Sequence, residues 1–101
     1  MAVLPRANIE VEVTFLPPEH GGRRTAVSSG YRPQFYYGGE DWDATYLFPE
    51  GIPVHPGETV TAEVIFLSPQ FHQDRVFPGM PFLVREGNRV IGYGRILRLL
   101  G

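Results

Sequence analysis

The chain has 101 residues, a net charge of −2 and no cysteine. That length supplies one core and one domain, and the small acidic excess excludes a molecule drawn to nucleic acid by bulk charge. No cysteine means no disulfide framework and no thiolate metal site, which fits a cytoplasmic chain.

The run Met1-Ala2-Val3-Leu4-Pro5-Arg6 lacks the long apolar core of a signal peptide. Ile9, Val11, Val13 and Phe15 then alternate with Glu10, Glu12 and Thr14, which predicts a half-buried strand of period two. Pro17-Pro18-Glu19-His20-Gly21-Gly22 ends it in a loop. Residues 23–27 read as the start of a second extended piece, broken at Ser28-Ser29-Gly30. Residues 31–37 are aromatic-rich and extended, and Pro33 belongs at an edge, a bulge or the strand's start because it lacks a ladder donor. Gly38-Gly39-Glu40-Asp41 predicts a turn into a strand over 42–48.

Pro49-Glu50-Gly51 and His55-Pro56-Gly57-Glu58 bracket a short connection. Residues 59–67 alternate again, placing Val60, Ala62, Val64 and Phe66 on one face. Residues 70–79 form the longest stretch without clear periodicity. A short strand over 80–85 leads through Glu86-Gly87-Asn88, a tight hairpin turn, into a long closing strand over 89–100. Gly92 and Gly94 lie two apart in it, a spacing suited to a barrel bend or the close approach of another backbone. Six or seven short strands with no amphipathic helix predict an all-β barrel or sandwich, and no apolar run reaches membrane-spanning length.

The chemistry-bearing residues are sparse. All nine basic residues are arginine. This suits forked contacts to phosphate and carboxylate, and equally follows from a GC-rich genome. His20, His55 and His72 are widely spaced in predicted loops and offer no metal-ligand spacing. Glu40, Asp41 and Asp43 surround Trp42 as an acidic turn rather than a catalytic pair. No Gly-x-x-x-x-Gly-Lys-Ser/Thr loop occurs and there is no lysine to serve one, so no GTP binding, cofactor or metal is expected of this chain.

Several motifs, in order, resemble the C-terminal, third barrel domain of the translation elongation factor Tu family. They are Gly21-Gly22-Arg23, Gly30-Tyr31-Arg32-Pro33-Gln34-Phe35-Tyr36, Phe48-Pro49-Glu50-Gly51, Pro56-Gly57-Glu58 and the run from Arg85-Glu86-Gly87 to Gly94. The resemblance covers residues 8–100 and divides the chain into an N-terminal extension, 1–7, and a barrel domain, 8–101. It implies a six-stranded antiparallel closed β-barrel without catalysis of its own. It also implies contact with tRNA through Arg23, Arg24, Gln34, Glu86 and Gly87, and a protein interface around Tyr31, Arg32 and Gln34.

Each residue has a plainer reading. Arg23 and Arg24 are either a solvated loop pair or a forked grip on phosphate. Gln34 could serve the backbone beside Pro33, and Glu86-Gly87 is first a hairpin turn. Two departures bear on the partner. The family's basic, hydroxyl-rich run after the aromatic strand is replaced by Gly38-Gly39-Glu40-Asp41-Trp42-Asp43, which repels a phosphate backbone. The stretch Gln70 to Pro81 is longer than the family's and carries Phe71, His72, Arg75 and Phe77. The expectation is a binding module that docks to a protein in preference to tRNA. Two further expectations are a small-ligand or enzymatic pocket at the 70–79 loop, and a homodimer through a surface left exposed in a lone domain.

Overall fold

Alternation sets the first strand. Ile9, Val11, Val13 and Phe15 are buried, while Glu10, Glu12 and Thr14 are half-buried on the opposite face. The computed structural model describes residues 6–100, so most of the run read against a signal peptide lies outside the described residues. Six strands form: β1 (Ile9–Phe15), β2 (Gln34–Tyr37), β3 (Glu40–Leu47), β4 (Thr59–Phe66), β5 (Pro81–Glu86) and β6 (Arg89–Leu99). They are hydrogen-bonded in the order β1-β4-β3-β2-β5-β6, and β6 returns to β1. The result is a closed barrel with every pairing antiparallel. Closure removes the open edges that would otherwise invite another strand.

Small barrels are filled by side chains, and this one is. Val11, Val13, Val64, Val84 and Ile91 are fully buried. Phe35 stacks on Phe82 at 4.2 Å between centroids and meets Phe66 edge-on at 5.1 Å. Tyr46 is buried with them. At the barrel end, Asn8 ties strands together. Its side chain accepts from the Phe66 amide at 2.8 Å, and its carbonyl accepts from the Leu100 amide at 2.9 Å.

Two sequence expectations change. Residues 23–27 do not make a strand; only Val27 pairs, with Val54, in an isolated bridge. The aromatic strand begins at Gln34 rather than at residue 31. Pro33 sits buried just before it, where its missing donor costs no ladder bond. Tyr31 instead makes an isolated bridge to Tyr46. The hairpin between β5 and β6 turns at Gly87, whose φ of +60° is the left-handed conformation such turns require.

Gly94 is there for close approach. It faces Val13 across the β1–β6 seam, and a Cβ added to it would lie 2.3 Å from the Glu12 carbonyl oxygen and 2.6 Å from Phe82 Cζ. Neither the backbone of β1 nor the stacked Phe82 ring can yield cheaply. Gly94→Ala is therefore expected to destabilise the barrel by about 1–3 kcal/mol, as overpacking does. Urea unfolding would measure it, with Tyr93→Ala on the exposed face as the mild control.

Candidate functional site

The loop before β2 is drawn tight at Gly22. A Cβ there would sit 1.7 Å from the Leu16 carbonyl oxygen, so the chain doubles back on β1 with no room for a side chain. Arg89, at the start of β6, donates to the Gly22 carbonyl at 3.1 Å and holds the loop against the β5–β6 hairpin. This places Arg23 beside Glu86, the last residue of β5.

Three residues from distant parts of the sequence converge there. Arg23 donates through Nη1 to the Glu86 carboxylate and through Nη2 to Thr25 Oγ1 at 3.0 Å. The Tyr31 hydroxyl donates to the same Glu86 oxygen at 2.5 Å. The Arg23 guanidinium also lies over the Tyr31 ring, 5.3 Å from its centroid. Tyr31 is anchored from behind by Phe15 and Tyr46, at centroid distances of 6.2 and 6.4 Å. The Arg23 and Glu86 side chains are 29% and 33% exposed, so the pair is partly screened and contributes modestly to stability.

Burial first, then the hydrogen bond to Glu86 and its negative charge, push the Tyr31 phenol well above its ordinary value. For Arg23, burial alone works against the charged form. The bond to Glu86 and the charges around it outweigh that and raise its pKa overall.

The remaining expected site residues do not join this cluster. Arg24 is exposed and makes no side-chain hydrogen bond or ion pair among the described residues. Gly87 is exposed in the adjoining turn. Arg32 is exposed and donates to Thr45 Oγ1 at 3.3 Å, beside a groove shared with Arg6, Asp43 and Leu67. Gln34 lies on β2 between Asp43 of β3 and Arg85 of β5. The two sets implied by the resemblance are thus regrouped. Arg23, Tyr31 and Glu86 form one unit, while Arg32 and Gln34 stand apart from it.

Sequence reasoning missed Arg85. It spreads over the Tyr36 ring at 4.8 Å and faces Asp41 at 3.6 Å, too long for a hydrogen bond but within ion-pair range. Asp41 is therefore not a free negative charge. The signal was hidden because Arg85 and Tyr36 belong to β5 and β2, neighbours only once the barrel order is known.

At the other barrel end, the 70–79 segment leaves a groove of about 510 Å³ bordered by Tyr37, Glu40, Trp42 and Arg75. His72 is 2% exposed and does not line it. The groove presents Arg75 but not His72. No group of three or more His, Asp or Glu side chains suited to a metal ion occurs among the described residues.

The fold is thus a closed antiparallel barrel with a filled interior and polar clusters outside it. The sequence matches the family model of the elongation factor Tu C-terminal domain over residues 2–100, and the chain belongs to that family.

The Tyr31 environment predicts a pH dependence. The folded state holds the phenol proton more tightly than the unfolded state does. Its contribution is therefore full below the ordinary tyrosine pKa of about 10 and is lost as pH rises above it. Denaturant titrations at increasing pH should show stability falling in the alkaline range, with a smaller fall in Tyr31→Phe. An identical alkaline loss in the variant would remove Tyr31 as its source.

Proposed function

We propose that this chain is a non-catalytic docking module with a translation-related role, acting in the cytoplasm and binding a protein in preference to tRNA. The family supports a translation-related binding module. One observation carries the choice of partner: the Arg23 guanidinium is already engaged by Glu86 and Thr25. A phosphate would have to displace a carboxylate that is held in place by Tyr31 as well. Charge neutralisation of a nucleic acid backbone needs free cations, and this one is taken. A partially buried Arg, Tyr and carboxylate together suit a protein interface, where Arg and Tyr supply anchors and the carboxylate receives a donor. In this reading Tyr31 and Arg23 are the anchors, Arg24 is the exposed rim cation, and Arg32 and Gln34 extend the surface toward β3. GTP binding is not a property of the domain.

The test is capture from the native lysate by the intact chain, with and without RNase. One protein retained after RNase, and lost with Tyr31→Ala, is the expected result. In parallel, tRNA binding is measured against salt concentration. Each phosphate contact contributes a slope of about 0.7–0.9, so a domain using both loop arginines would lose roughly two contacts' worth in the Arg23→Ala, Arg24→Ala double variant. An unchanged slope is expected. A flattened slope together with RNase-sensitive capture would restore tRNA as the partner.

A further inference from the structure

His72 is a buried basic side chain, 2% exposed. It comes from a loop rather than a strand. The 3₁₀ turn Pro69–Phe71 leads into it, and its carbonyl accepts the amides of Arg75 and Val76 at 3.0 and 3.2 Å. Its ring stacks on Phe66 of β4, centroids 3.9 Å apart and planes inclined by 22°. It meets Trp42 of β3 edge-on at 4.7 Å. Its Nδ1 lies 2.5 Å from the Tyr37 hydroxyl at the end of β2. Three adjacent strands thus hold one side chain, and that side chain ties the segment between β4 and β5 to the barrel end.

The neutral imidazole suits this place. With its proton on Nε2, the ring can accept the phenol's hydrogen at Nδ1, and the ring faces meet apolar surface. An imidazolium would bring a charge into a site closed to water. The ionisable groups around it offer that charge little. Tyr37 on β2 is a neutral phenol. Glu40 on β3 acts on the Tyr37 phenol, and no carboxylate hydrogen-bonds the imidazole among the described residues. Phe66 on β4 is neutral. From the segment itself Arg75 adds a repelling cation, while Asp74 is exposed. Burial first, then Arg75, lower the His72 pKa below its ordinary value. The Phe66 face attracts a cation weakly, which offsets only part of the lost hydration.

We propose that His72 is a proton-operated latch: neutral, it pins residues 68–79 over the barrel end, and protonated, it leaves its site and releases that segment from Phe66 and Trp42. The released segment binds the proton more readily than the pinned one. Pinning is therefore complete above the ordinary histidine pKa and weakens as pH falls below it. The latch is independent of the Arg23–Tyr31–Glu86 cluster and does not depend on how that surface is used.

Hydrogen exchange of the Arg75 and Val76 amides reports the latch directly, because both donate to the His72 carbonyl. Trp42 is the chain's one tryptophan and gives a parallel optical signal. Between about pH 8 and about pH 5, protection of these amides, corrected for intrinsic exchange, should hold and then fall. The fall should begin near the ordinary histidine value, with Trp42 emission shifting in step. His72→Phe retains an aromatic ring without the proton and should abolish the dependence. Protection that is flat with pH, or the same dependence in His72→Phe, would overturn the latch. Should His72→Phe fail to fold, the titration of the His72 ring by NMR in the intact chain decides. A depressed midpoint coincident with loss of amide protection supports it, and an ordinary midpoint with unchanged protection overturns it.

Discussion

Strand β6 must approach β1 closely enough that Gly94 takes the place of a side chain beside the Glu12 carbonyl. Gly92 repeats the condition one step along, where a Cβ would lie 2.8 Å from the Thr14 carbonyl oxygen. The seam that these two glycines permit is what closes the sheet. Once closed, the barrel has no free edge and its interior is set by the residues pointing inward from all six strands. A wider seam would leave Phe82 without the wall it packs on, and the Phe35–Phe82 stack depends on that wall. The core, the hairpin that carries Glu86 and the outer clusters all follow from this approach.

The domain carries its polar chemistry on opposite ends, and each end combines the same ingredients differently. Near the β5–β6 hairpin, a carboxylate receives both an arginine and a phenol, so the charges are matched and the phenol holds its proton. Near the β4–β5 segment, a phenol faces an imidazole among aromatic rings, with an arginine close by and, among the described residues, no carboxylate bonded to the ring. The first arrangement favours permanence, because each partner satisfies another. The second is conditional, because adding one proton creates an unmatched charge in a water-poor site.

The acidic run after β2 also changes meaning in three dimensions. As a string of residues, Glu40, Asp41 and Asp43 look like a uniform negative edge. In the barrel Asp41 faces Arg85, Asp43 stands across from Gln34, and Glu40 borders the groove beside Trp42. Alternation along β3 also turns Trp42 away from its acidic neighbours, toward Tyr37 and His72. Of the three carboxylates, Asp41 is matched by a cation, so the run is not a uniform negative edge.

Much of the architecture was legible along the chain because its causes are local. Burial alternates along β1 and β4 as the apolar residues do, and the Gly87 turn follows from the conformation only glycine adopts cheaply. The ordered motifs at family spacing extended that reading to the whole barrel. Residues 23–31 escaped it, because whether an extended piece joins a sheet depends on a partner strand and not on its own composition. The same reason hid the sites. Arg23 and Glu86 are 63 residues apart, and Tyr37 and His72 are 35 apart. Amino-acid sequence by itself determined which faces are apolar, where the chain turns and which side chains can ionise. Only the tertiary structure decided which of those side chains meet, because contact between distant residues is set by strand order and closure, to which no short stretch of sequence is sensitive.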